Sequence, residues 1–351
     1  MMMELRELSE AFGVSGNEDD VRALVLDAVR DHVDEVRIDA MGNVLALKRG
    51  TGSDRMRVMV AAHMDEVGLM VVDHDDNGLL KVDAVGGIVP RILPGTLLTV
   101  GPDRIPGVIG IKPIHLLESG EMEKAPKMED LAIDVGAKDK DEATKLAPPG
   151  TYATFATQYR ELGPTVTGKA FDDRAGCAVL VELLQGARFG FDLHAAFTVQ
   201  EEVGLRGAKV AAYTIDPQCA FALDVTVAND LPKEKDTSPN SELGKGPAIT
   251  AMDRSFIADR RLVRLLTGTA DALGIPYQMK QSSVGGTDAG VIHLAREGVP
   301  SAAVAVPCRY IHSPASLLSL EDLDNTVRLM REALSRLPRE ALSRLPPETV
   351  D

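Results

Sequence analysis

From residue 160 onward the chain alternates between two textures. DDRAGCAVLVELLQGA has helical spacing, HAAFTVQ is an apolar strand, GLRGAKVAAYTI is helical and CAFALDV is strand again. RRLVRLLTGTADALG and DAGVIHLAREG read as helices, PSAAVAVP as a strand and LEDLDNTVRLMREALSRL as a closing helix. Parallel strands need long crossovers, which helices supply, and strands that are apolar on every position are buried on both faces. The expected fold is α/β, a mostly parallel central sheet with helices on both faces.

The first 68 residues fit the same domain. NEDDVRALVLDAVRDHV predicts a helix with Asn17 as N-cap, acids in its first turn, and Val21, Leu24, Val25, Ala28, Val29 and Val33 at helical spacing. EVRIDAMGNVLALKRG reads as two strands about a Met-Gly-Asn turn, and RVMVAAHMDEVGLMVV as an apolar strand carrying His63, Asp65 and Glu66. Between them, 69–159 changes character. LLKVDAVG, TLLTVG, GVIGIK, LAIDVGA and TYATFAT are short β-like pieces punctuated by Gly and Pro, the pattern of a small inserted β-barrel or sandwich. KDKDEATKL within it reads as a short solvated helix. The expected division is 1–68 with 160–351, and 69–159 inserted. The octapeptide REALSRLP occurs twice in tandem, at 331–338 and 339–346, and reads as an internal duplication without chemistry.

Charge and cysteines exclude several classes. The formal charge is −15 with no Lys/Arg-rich stripe, which argues against nucleic acid and disfavours an anionic membrane surface. Cys177, Cys219 and Cys308 are far apart with no Cys-x-x-Cys, so they read as buried reduced thiols of a cytoplasmic protein. MMMELRELSE lacks the layout of a signal peptide, and no apolar run reaches about 18 residues.

The chemistry gathers at the strand ends. Five apolar runs end in, or shortly precede, a metal-capable or catalytic group: His63 with Asp65, Asp172 with Asp173, Glu201 with Glu202, Asp224, and His312. Ligands of open α/β sheets bind at the carboxyl ends of strands, and a buried carboxylate is costly unless paired or metal-bound. Two His and three carboxylates suit a pair of divalent ions, zinc or cobalt more than magnesium. Such a pair polarises a carbonyl and acidifies a shared water. Adjacent Glu201 and Glu202 then divide the work: Glu202 ligates, while Glu201 takes the proton of the hydroxide-forming water and passes it to the leaving amine. In Gly285-Gly286-Thr287-Asp288, Asp288 reads either as a helix N-cap or as a substrate contact together with Gly286 and Thr287. Arg309 beside His312 is a candidate to line the site or a structural arginine. No serine lies in a Gly-x-Ser-x-Gly elbow, which disfavours serine-hydrolase chemistry.

In order, AAHMDEVGLMV, GKAFDDRAG, VQEEVGLRGA, ALDV, GGTDAG and IHSPAS resemble the TET-type co-catalytic metallo-aminopeptidases, the family also labelled glutamyl aminopeptidase or cellulase M. The resemblance runs from GVSGNEDDVR to the last helix. It implies a two-metal exopeptidase acting on peptides, with His63 and His312 as one histidine ligand per metal and Asp172 as the bridge. It implies Glu202 and Asp224 as terminal carboxylates, Glu201 as general base and Asp65 as the acid that orients the His63 ring. It also implies that the 69–159 insertion is a dimerising β-barrel, that dimers build a dodecamer with inward-facing sites, and that the Asp172–Asp173 peptide is cis. The alternatives are a metal-dependent N-acyl amino acid deacylase, a glucanase as the family label suggests, or a retired scaffold. A glucanase needs no histidines at strand ends, and no ligand position is missing as a retired enzyme would require.

Overall fold

The structure, a computed structural model, describes residues 2–53, 55–110, 112, 114–116, 120, 124–231, 240–280 and 285–337. The second REALSRLP copy lies outside them. Helices α1 (Met2–Glu10) and α2 (Asp19–Val29) lead into strands β1 (Glu35–Ile38), β2 (Val44–Lys48) and β3 (Arg57–His63). Then come β4 (Gly68–His74), β5 (Leu80–Val85), β6 (Leu97–Val100), β7 (Ile105–Ile109), β8 (Ala132–Asp134), α3 (Lys140–Leu146) and β9 (Tyr152–Phe155). The chain returns through β10 (Arg160–Leu162), β11 (Thr165–Gly168), α4 (Phe171–Gln185), β12 (Asp192–Thr198), α5 (Arg206–Ile215) and β13 (Cys219–Val227). It closes with β14 (Ala248–Thr250), α6 (Arg260–Leu273), β15 (Gln278–Lys280), α7 (Ala289–Ile292), β16 (Ser301–Arg309), β17 (Ser316–Ser319) and α8 (Leu320–Ser335).

The central sheet runs β1-β2-β12-β3-β13-β16-β17-β11-β10, with β14 beside β16 and β15 beside β14. Its middle, β12-β3-β13-β16, is parallel, as the alternation predicts. Both wings are antiparallel, so the sheet as a whole is mixed. The pairs β1–β2, β10–β11 and β16–β17 are joined by turns or short loops, which favour antiparallel pairing, while β2–β12 and β11–β17 pair strands distant in sequence. On one face, α4 and α8 bury Phe171, Val179, Leu183, Leu329 and Met330 in the main core. On the other, α5 and α7 place Ala208, Ala211, Ala212 and Ile292 over Met59, Ala61 and Ala220.

Strands β4-β5-β8-β7-β6-β9 close into a barrel with its own core of Leu69, Val71, Leu80, Leu98, Ile133 and Phe155. Its α3 starts at Asp139, whose carboxylate accepts from the Glu142 N–H at 2.9 Å. RVMVAAHMDEVGLMVV is two strands rather than one: β3 belongs to the sheet, β4 to the barrel, and the break falls at Met64–Val67 beside His63.

Two helix starts differ from expectation. The α2 N-cap is Glu18, without a capping hydrogen bond, not Asn17. The segment from Asp288 is a four-residue helix, because Gly290 and β-branched Val291 and Ile292 are weak helix formers and the chain turns away at Arg296 (φ 55°) and Gly298 (φ 97°). Asp288 makes no side-chain cap there.

Candidate active site

The site forms where β3 and β12 end in register, Thr198 beside His63. His63 closes β3 and is 3 % exposed. Asp172 enters from the first turn of α4 on the facing layer, and its peptide bond to Asp173 is cis. Glu201 and Glu202 follow the end of β12. Asp224 sits inside β13 rather than closing it, since the strand runs on to Val227. His312 stands on the β16–β17 turn. Non-glycine residues with left-handed backbone mark these turns: Ala170 (φ 53°), Gln200 (φ 56°), Tyr310 (φ 62°) and His312 itself (φ 56°). Such conformations persist only where the surroundings over-determine them, and they cluster at functional sites.

Asp172 stands between the histidines. Its Oδ1 lies 3.2 Å from His63 Nε2 and its Oδ2 3.3 Å from His312 Nε2. Glu202 Oε1 is 3.1 Å from His312 Nε2, while Glu201 Oε2 and Asp224 Oδ1 are each 3.9 Å from His63 Nε2. The adjacent glutamates therefore face different imidazoles. Each ring turns its other nitrogen to a main-chain carbonyl: His63 Nδ1 to Asp65 O at 3.1 Å, His312 Nδ1 to Gly87 O at 3.0 Å. An imidazole that donates from Nδ1 presents the Nε2 lone pair to the cluster, the tautomer a metal ligand needs.

Three groups bring ligand atoms within 4.8 Å of one another among the described residues: His63/Glu201/Glu202, His63/Asp173/Asp224 and Asp172/Glu202/His312. Burial, reinforced by the charge of Asp172, raises the Asp224 carboxyl well above its usual range. Burial raises Glu201 further than the nearby His63 can lower it, and Asp224, Asp288 and Glu202 add to the rise. Glu202 is raised by burial against the pull of His312. Burial disfavours charge on His312, but Asp172 and Glu202 outweigh it and push the ring up to about 11. Asp172 goes the other way: burial would raise it, yet the two imidazoles hold it below the usual range. This is a buried excess of carboxylate charge whose ion pairs, among the described residues, go to two imidazoles. Divalent cations suit that donor set.

Other expected residues fall differently. The Asp65 carboxylate pairs with His63 Nδ1 at 3.5 Å, behind the carbonyl of the same residue, and it also accepts from the Ser15 hydroxyl at 2.6 Å and from the Glu201 and Glu202 N–H groups. Asp173 accepts from the His63 and Gly176 N–H groups at 3.1 and 2.8 Å, fixing strand to helix. Arg309 is held by Asp230 through Nε at 2.7 Å and Nη2 at 2.9 Å, a pairing that suits a structural arginine. Asp288 is buried, accepts from the Thr198 hydroxyl at 2.5 Å, and leaves Oδ1 without a partner among the described residues; burial raises it to about 6. The Thr287 hydroxyl is buried and has no partner among the described residues, and Gly286 packs against Ser255, where a Cβ would come within 2.9 Å. The sequence reading passed over Glu18 and Asn43, both buried against the Glu201 loop. Asn43 was visible only as a turn residue, and nothing local distinguished Glu18 from the acids after it.

Comparison with known proteins decides the family. The model described as M42 glutamyl aminopeptidase matches residues 42–329. The chain belongs to the M42 glutamyl aminopeptidase family. The lysyl aminopeptidase of Pyrococcus furiosus is 36 % identical over 339 residues, 94 % of this chain and 95 % of the relative. Among solved structures, an aminopeptidase from the archaeon Desulfurococcus kamchatkensis superposes with a TM-score of 0.94 at 37 % identity, covering 99 % of this chain and 98 % of the other. The Pyrococcus horikoshii TET1 peptidase, which can assemble into a tetrahedron or a large octahedral shell, gives 0.85 at 33 % identity, covering 96 % and 99 %. This M42 chain is an aminopeptidase, a hydrolase, as its motifs imply. Its three cysteines are free and buried, and no helix among the described residues is long and apolar enough to cross a membrane.

Proposed function

We propose that this chain is a two-metal aminopeptidase that removes N-terminal residues from peptides. The observation that carries the reading is Asp172, whose two oxygens each meet the Nε2 of a different imidazole, with both rings fixed from behind by main-chain carbonyls. His63 and Asp224 would hold one ion, His312 and Glu202 the other, with one Asp172 oxygen for each. Zinc or cobalt suits this mixed nitrogen and oxygen set. Bound there, such ions would supply Lewis acidity that polarises a scissile carbonyl and acidifies a water. Glu201 is the proton carrier: of the two glutamates it lies farther from its imidazole, and burial among carboxylates gives it a high proton affinity. It accepts the proton of the attacking water and delivers it to the leaving amine. Asp65 positions both glutamates through their main-chain N–H groups.

Residues 1–68 and 160–351 would form the catalytic domain, and the 69–159 barrel the dimerising one. Dimers would build a closed dodecamer that admits short peptides; a TET1 structure is described as a dodecamer, and the TET1 peptidase can assemble into a tetrahedron. Three buried free thiols suit the cytoplasm.

The test is hydrolysis of a panel of aminoacyl p-nitroanilides by chelator-stripped protein, with zinc, cobalt or manganese restored. We expect activity to return with metal on one class of residue, and Glu201→Gln to lose about 10²–10⁴-fold in kcat while keeping its metals. Activity that survives complete stripping, or a fully active Glu201→Gln, would overturn the reading.

A further inference from the structure

The loop that carries Glu201 and Glu202 leaves β12 with no strand beside it among the described residues; it is buried at Val199 and half-buried from Gln200 to Val203. Buried main-chain N–H groups need acceptors. Four in succession find them in side chains. Val199 N–H donates to Asn43 Oδ1 at 3.0 Å, Gln200 N–H to Glu18 Oε1 at 3.3 Å, Glu201 N–H to Asp65 Oδ1 at 2.9 Å and Glu202 N–H to Asp65 Oδ2 at 3.1 Å. Asn43 also spans the loop, its Nδ2 donating to Gly207 O at 3.0 Å. Glu18 Oε1 is anchored by the Gly16 N–H at 2.7 Å, and Asp65 Oδ2 by the Ser15 hydroxyl at 2.6 Å. Asn43, Glu18, Asp65 and Ser15 are at most 4 % exposed, and all belong to the first 65 residues.

We infer that Glu18 and Asn43 are positioning residues for Glu201, acting through the amides of Gln200 and Val199. The inference rests on the reading of Glu201 as proton carrier. Gln200, directly before the two glutamates, has left-handed backbone, and its conformation sets where the next two side chains point. The acceptor for its N–H is Glu18, at the mouth of α2 and 182 residues away in sequence. Without it, the hinge residue loses its fixed partner while Asp65 still holds the amides after it. Glu201 and Glu202 must reach different imidazoles from adjacent positions, so a small rotation at Gln200 misplaces both.

The experiment compares Glu18→Ala, Glu18→Gln, Asn43→Ala and Glu201→Gln as full-length, metal-loaded proteins on the p-nitroanilide that wild type cleaves best. Amide hydrogen exchange of the peptide spanning 199–204 is followed in the chelator-stripped forms. We expect Glu18→Ala to lower kcat by about 10–100-fold with KM nearly unchanged, the usual cost of removing an outer support of a metal site. Exchange in 199–204 should accelerate while α4 and β13 stay protected. Glu18→Gln keeps an oxygen acceptor and should recover most of the activity. Asn43→Ala removes the acceptor of the Val199 N–H and should loosen the same peptide and lower kcat in the same direction. Wild-type kcat in Glu18→Ala, loss of protection across the whole molecule in step with activity, or no rescue by Gln would overturn the inference; if Glu18→Ala does not fold, unchanged exchange and kcat in Asn43→Ala would do so. Glu201→Gln separates the two ideas. If it is inactive while Glu18→Ala is normal, the inference fails alone; if it is active, the reading beneath it fails.

Discussion

Glu66 follows the aspartate that supports the glutamate loop, and it anchors a second, fully buried charge group. Lys169 Nζ donates to its Oε1 and Oε2 at 2.6 and 2.9 Å, Arg174 Nη2 lies 3.3 Å from Oε1, and the Thr154 hydroxyl and Gly13 N–H complete its shell. Lys169 and Arg174 flank Asp172, so this cluster fixes both ends of the segment that carries the metal-bridging candidate. Burial lowers Lys169 to about 8 despite the attraction of Glu66. Glu66→Ala would leave two buried cations without their counter-charge, a loss of about 3–5 kcal/mol. Urea unfolding of the metal-loaded protein measures it, and a change under about 1 kcal/mol would show that the carbonyls around Lys169 and Arg174 suffice. At this scale the sequence was legible where chemistry is local. His63, Glu201 and Asp224 stand out because their flanks are apolar. Arg309 and Asp288 were ambiguous because the partners that decide their roles, Asp230 and Thr198, lie 79 and 90 residues away.

Elements were legible where a period repeats, and less so where a short segment takes its partner from elsewhere. The parallel core of the sheet followed from strand–helix alternation, and the barrel from Gly and Pro punctuation. Of the antiparallel wings, the Met-Gly-Asn turn marked the β1–β2 pair, but a three- or four-residue strand such as β10, β11 or β17 has too little pattern to choose a neighbour. The β3–β4 boundary was hidden because apolar residues continue on both sides of it. The start of α5 shows how tightly an element end is tied to the site. A Cβ on Gly207 would lie 2.3 Å from Asn43 Oδ1 and 2.4 Å from Val199 O. Gly207→Ala must therefore push main chain out of the glutamate-loop cradle, and we expect about 1–3 kcal/mol of destabilisation and a lower kcat. Gly268, on the exposed side of α6, meets nothing within 4 Å, and Gly268→Ala should stabilise by about 0.5–1 kcal/mol with kcat unchanged. Thermal melts and initial rates on the pair check both signs, and an equal effect of the two would remove the argument from the cradle.

For the whole molecule, metal held at the proposed ligands would couple fold, proton and metal binding in one cluster. Burial raises Glu201, Glu202 and Asp224, and the carboxylates raise His63 and His312 against burial, His312 to about 11. Each of these groups has a folded value above its unfolded one. Each therefore contributes stability that is fully present below the unfolded value and lost as pH rises through the folded value. Asp172 has the opposite sign, but its folded and ordinary values both lie at 3.8 or below, so it is settled before the others begin to change. Metal-free protein should thus lose site stability from about pH 4.5 upward as the carboxylates give up protons, and lose more across the imidazole range. Metal ions occupy the places of those same protons, so their binding strengthens over the same window. The gap in melting temperature between metal-loaded and chelator-stripped protein should widen steadily from about pH 5 to about pH 9. Scanning calorimetry of both forms at matched ionic strength measures it. A gap that stays constant or narrows would mean that the ions bind away from His63, Asp172 and His312, because any site built from those groups must exchange protons for metal.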